Sequence, residues 1–156
     1  MAATILFMKS SQTMMAYTLE YQTTERMMLA KYEGGCHCGR VRFKVQADLT
    51  QTLDCNCSVC TKKGFLHLIV PLDQFEVTQG SEALTTYQFN TNTAQHMFCT
   101  SCGMHPFYVP RSDPDKMDVN ARCIDNIDVS ALRPQKFDGK NWEASNDAYH
   151  SKGLPS

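Results

Sequence analysis

Seven of the eight cysteines in this 156-residue chain fall in three tight clusters, and no other feature narrows the possible folds as much. Cys36 and Cys38 form CxC in "GGCHCGR"; Cys55, Cys57 and Cys60 form CxCxxC in "DCNCSVCTKKG"; Cys99 and Cys102 form CxxC in "FCTSCG". Cys123 stands alone. Thiols this close cannot avoid one another. They are redox partners, halves of disulfides, or ligands of a metal ion.

In an exported chain an even cysteine count suggests disulfides. The stretch "MAATILFMKSSQTMMAYTLEYQTTERMM" argues against export, because no charged region precedes its short apolar start. Glu20 and Glu25 also make it a poor transit peptide. A reducing compartment, cytoplasm or nucleus, is therefore expected. There, clustered cysteines bind metal or do chemistry.

Counted as ligands, the thiols divide unevenly. Four thiolates close a structural zinc site, and the pairs 36/38 and 99/102 supply four. Gly39 and Gly103 follow the two pairs, where the chain must turn sharply around an ion. Cys55, Cys57 and Cys60 are one ligand short, as in a catalytic zinc site with three protein ligands and an open position. One closed and one open site are expected. Three alternatives stay open: Cys123 closes the second site, the triple holds no metal and is reactive or oxidised, or iron–sulfur replaces zinc. A thiol–disulfide oxidoreductase is disfavoured, because "CTSC" sits between strands and not at a helix start.

Other groups near the clusters read as ordinary surface or core. His37, His67, His96 and His105 are expected to be packed or solvated, and not ligands; His150 reads as surface. Lys62, Lys63 and Arg111 are the nearest cations, either solvated or placed to attract an anion and lower a thiolate pKa. Asp54 adjoins the triple and reads as a turn or capping residue. No general base is evident.

The remaining signals are mostly those of strands. "RVRFKV" alternates, with Val41, Phe43 and Val45 on one face. "GFLHLIVP" reads as a buried strand ended by proline. "FEVTQG" and "LTTYQFN" follow across a "GSEA" turn, and "QHMFC" and "HPFYVP" flank the CxxC. A last strand is expected near 117–123, with short helices only at 127–133 and 141–150. The fold class is mainly β with little helix. Residues 1–30 read as a poorly ordered extension, 31–145 as the domain and 146–156 as a tail. Hydrophobic residues at 42% allow a core, and a net charge of −1 gives no strong nucleic-acid signal. No apolar run approaches the ~20 residues of a membrane helix.

Taken together, "GGCHCGRVRF", "DCNCSVCTKKG", "TYQFNT", "FCTSCG", "FYVPRS" and "NARCID" resemble the glutathione-dependent formaldehyde-activating enzyme family, which includes centromere protein V. The resemblance covers about 31–145. It implies a zinc-stabilised, Mss4-like fold of two small β-sheets and two zinc ions per chain. Cys36, Cys38, Cys99 and Cys102 would hold the structural ion. Cys55, Cys57 and Cys60 would hold the catalytic one. The implied activity is that of an S-(hydroxymethyl)glutathione synthase, a carbon–sulfur lyase in reverse, with glutathione as co-substrate and formaldehyde or a related small aldehyde as its partner. The alternative is a non-catalytic zinc module, similar to centromere protein V, that binds a thiol compound or a protein or chromosomal partner.

Overall fold

The computed structural model describes residues 29–151, so the N-terminal extension expected over 1–30 lies almost wholly outside the described residues. The described residues are mainly β, in three small sheets where the resemblance implied two. The strands β1 (Ala30–Gly35), β2 (Arg42–Ala47) and β5 (Phe75–Gln79) form a three-stranded sheet in the order β1-β2-β5. A five-stranded sheet holds β3 (Leu53–Cys55), β4 (Leu66–Pro71), β8 (Phe107–Tyr108), β9 (Lys116–Asn120) and β10 (Gln135–Phe137), in the order β10-β3-β4-β9-β8. Its strands pair antiparallel except β10, which runs parallel to β3. The hairpin β6 (Leu84–Tyr87) and β7 (His96–Cys99) stands as a sheet of its own.

The alternation in "RVRFKV" decides which face of β2 is buried. Val41, Phe43 and Val45 are at most 2% exposed, while Lys44 faces solvent. Phe43 packs edge-on to Phe107 at 5.8 Å and meets Phe75 at 5.7 Å. This aromatic group joins the three-stranded sheet to the core face of the five-stranded one.

The five-stranded sheet is buried on both faces, for two different reasons. Paired residues on neighbouring strands point the same way. One face carries Leu68, Val70, Phe107, Met117 and Val119, all in the hydrophobic core. The other carries Leu53, Cys55, His67, Ile69, Tyr108, Asp118 and Phe137, which lie opposite one another in register across the five strands. That second face is the floor of a cavity. A strand with core on one side and cavity on the other reads as a continuous apolar run, which is what "GFLHLIVP" shows.

Two helices complete the described residues. The six-residue α1 (Ser58–Lys63) begins at Cys57 and stops at Gly64, whose φ of 62° ends the helix as a left-handed cap. The longer α2 (Trp142–Ser151) falls where a short helix was expected and runs into the segment read as a tail. Its Trp142, Asn146 and Tyr149 recur at helical spacing and line the cavity above the sheet. The other expected helix, at 127–133, is only a 3-10 turn over Val129–Ala131. Among the described residues no helix is long and apolar enough to cross a membrane.

Candidate metal centres and the cavity

The first cluster forms where two turns face each other. Cys36, Cys38, Cys99 and Cys102 place their sulfurs within 4.8 Å of one another. The Cys36–Cys38 and Cys38–Cys99 sulfur separations are 3.5 and 3.8 Å. A zinc ion with four thiolates at ~2.3 Å needs sulfurs about 3.8 Å apart, so the residues fit a tetrahedral ion. Both turns are built alike: Gly39 N–H donates to the Cys36 carbonyl at 3.0 Å, and Gly103 N–H to that of Cys99 at 2.8 Å. Gly39 and Gly103 hold φ of 75° and 70°, a region that disfavours other residues. Arg40 donates to Ser101 Oγ at 2.7 Å and ties the turns together. Burial alone would raise the Cys102 thiol, but hydrogen bonds from backbone at Cys38 and Met104 bring it to about 6, suited to a thiolate ligand.

The second cluster is assembled at a strand-to-helix junction. Cys55 ends β3, Cys57 caps α1, and Cys60 lies in the first turn of that helix. Their sulfurs also lie within 4.8 Å of one another. Hydrogen bonds from Cys57 and Cys60 hold the Cys55 thiol well below its usual range, whereas hydrogen bonds with Cys55 and Cys57, together with burial, push Cys60 up. Negative charge this crowded calls for a cation, and three thiolates with no fourth protein sulfur fit a metal ion with an open position. The segment after β10 clamps the site. Asn56 accepts from Lys140 N–H at 3.1 Å and donates to Asp138 at 2.9 Å. Gly139 lies so close that an added Cβ would stand 2.3 Å from Cys55 Sγ. Only glycine fits there.

Cys123 joins neither cluster. It is buried in the core, with its sulfur 3.8 Å from the His105 carbonyl, and burial pushes its thiol up to about 12. The option that Cys123 closes the second site is therefore excluded.

The two clusters differ in what faces them. Cys55, Cys57 and Cys60 all border a cavity of about 420 Å³, and none of the first four cysteines does. On its floor His67 Nδ1 meets Asp118 Oδ2 at 2.7 Å. Asp118 is fully buried, and its other oxygen accepts the Leu68 N–H at 3.0 Å. Tyr108 Oη stands 3.4 Å from His67 Nδ1. His67 Nε2 is buried with no partner among the described residues. Burial pushes the His67 imidazole down, but the Asp118 carboxylate outweighs it and carries it up to about 10. The acid near the triple is thus Asp118. Asp54, read as a turn or capping residue, is a strand residue bonded to Lys136 at 2.5 Å.

Lys63 reaches His96 Nδ1 at 3.0 Å; burial lowers the lysine to about 8. Burial, then Lys63, lowers His96 to about 4, so His96 accepts as a neutral ring. It stacks on Tyr108 at 4.8 Å and on Phe89 at 5.4 Å. Arg111 lies 3.8 Å over the Trp142 ring and pairs with Glu143 at 3.0 Å. His37 is exposed, and His105 packs on Phe98 at 5.1 Å. Sequence reasoning missed His67 as a site residue because its partner is 51 positions away.

The family model described as "Glutathione-dependent formaldehyde-activating enzyme" matches residues 31–144. The chain belongs to that family. A similar protein from Halomonas elongata, whose name places it in the family, is 30% identical over 104 residues, 60% of this chain. The chain spans 66% of that relative's length. A crystal structure of a Rhodobacter sphaeroides protein is 33% identical with a TM-score of 0.63, covering 67% of this chain and 97% of that one. The family match ends at 144, so Asn146 and Tyr149 of the cavity wall lie beyond it.

Proposed function

We propose that this chain is a zinc-dependent enzyme that joins glutathione to formaldehyde or a related small aldehyde, and runs as a carbon–sulfur lyase in reverse. The carrying observation is that Cys55, Cys57 and Cys60 form a cluster one ligand short that opens on a cavity, while the other four-sulfur cluster does not. Each cluster holds one zinc ion in this reading. A zinc ion held by Cys55, Cys57 and Cys60 would lower the pKa of a thiol or polarise a carbonyl. The reaction forms one S–C bond and turns C=O into C–OH, while a proton leaves sulfur and another reaches oxygen. No electrons are gained or lost overall.

His67 supplies the proton at oxygen. Asp118 fixes its ring through Nδ1, which leaves Nε2–H unpartnered in the cavity as a donor to the developing oxyanion. The thiol proton replenishes it. A buried ion pair of this kind seldom stabilises a fold more than packed apolar side chains do, which favours a working role. Phe89, Trp142 and Tyr149 give the cavity apolar walls beside the triple. All eight cysteines are free, which suits a reducing compartment such as cytoplasm or nucleus.

The uncatalysed reaction is fast, so the test is a rate above background. Exchange NMR on glutathione and formaldehyde is expected to show acceleration by the zinc-loaded chain and none by Cys57→Ala. Background rates for the wild type, with thiol binding retained, would leave a non-catalytic thiol-binding module in its place.

A further inference from the structure

A one-carbon aldehyde needs little of this cavity. A water molecule takes about 30 Å³ of the liquid, and formaldehyde is not much larger. The cavity offers about 420 Å³. Its interior is dominated by Leu53, Ile69 and Phe137 on the sheet, Trp142 and Tyr149 on α2, and Phe89. The cations that line it, Arg111 and Lys140, reach solvent. A glutathione bound here keeps its carboxylates near those cations and puts its sulfur at the triple. The apolar interior is then left to whatever is carried by the carbon that bonds to that sulfur.

We propose that the aldehyde of this site bears an apolar group, an aliphatic chain of several carbons or an aromatic ring, packed between the sheet face and α2. This rests on the enzymatic reading above and narrows its substrate class. The carbonyl sits at the sulfurs, beside His67 on the floor, and the group beyond it meets Ile69, Phe137 and Tyr149. A site of this kind, apolar with few polar groups to set orientation, selects by buried methylenes. The bond made is the same S–C bond, and the product is a hemithioacetal with a longer carbon chain.

S-alkyl glutathiones mimic that chain while blocking the sulfur. Titration calorimetry on the full zinc-loaded chain, with S-methyl-, S-butyl- and S-hexylglutathione, is expected to show affinity rising by about three- to fourfold per methylene. Tyr149→Ala, near the end of α2, is expected to reduce that gain, so that S-methyl- and S-hexylglutathione bind the variant with more nearly equal affinity. In the exchange assay, hexanal is expected to be accelerated over its own background more than formaldehyde is. Equal affinity from methyl to hexyl, with formaldehyde turnover intact, overturns this proposal and leaves the enzymatic reading standing. No S-alkyl binding and no turnover of either aldehyde overturns both.

Discussion

The four-sulfur and three-sulfur clusters start from the same CxC motif and end as different devices. At Cys36 and Cys38 the chain turns through Gly39 and meets a matching turn at Cys99 and Cys102, with Arg40 bridging to Ser101. At Cys55 and Cys57 the chain enters α1, whose first turn brings Cys60. The turn that faces it, at Gly139–Asn141, brings no cysteine, and the cavity and the His67–Asp118 pair border the cluster as well. Donor chemistry is shared, so the difference lies in what the fold sets opposite. A knuckle facing a knuckle is a staple, and a knuckle facing an apolar hollow is a place for a guest.

The comparison is broken most forcefully at the staple. Cys99→Ser is expected to abolish cooperative folding, because a structural zinc contributes about 10–16 kcal/mol, as much as a domain's whole stability of roughly 5–15 kcal/mol. Cys57→Ser is expected to keep a cooperative melt. Circular dichroism on both reads the contrast, and similar melts for the two would erase it. Next comes the metal count. Elemental analysis is expected to give two zinc ions per wild-type chain and one for Cys57→Ala; a single ion in the wild type would mean the triple is no stable metal site.

A smaller effect concerns the ground between the clusters. Burial and Lys63 hold His96 and His105 near 4, below the 6.5 of a free imidazole. Between those values the unfolded chain binds more protons than the folded one. The contribution of these two rings to stability is therefore complete above about 6.5 and falls as pH drops toward 4, by up to about two protons' worth of slope. Urea midpoints across that range check it, and His96→Gln with His105→Gln is expected to flatten the slope.

The sulfur groupings were legible because ligand spacing is local, and the strands of "RVRFKV" and "GFLHLIVP" because burial imposes their pattern. Less local features were not. The six residues of α1 are too few to show a period; their one signal is "KKG", lysines in the last turn followed by a capping glycine. Three-residue β10 pairs in parallel with β3, some eighty positions earlier, and no neighbouring residue encodes such a partner. His67 looked like one more strand residue until register set Ile69 opposite Asp118. The pair Asp138–Gly139 signals a turn and nothing more, because the smallness of Gly139 serves contact with Cys55 and not a positive φ.

Strand β7 is only four residues long, yet His96 at one end stacks over the cavity and Cys99 at the other belongs to the staple. Three residues of extended chain span about 10 Å. Failure in this molecule is therefore ranked. Oxidation of Cys99 frees the strand and takes the cavity wall with it, whereas damage to the triple leaves the strand anchored.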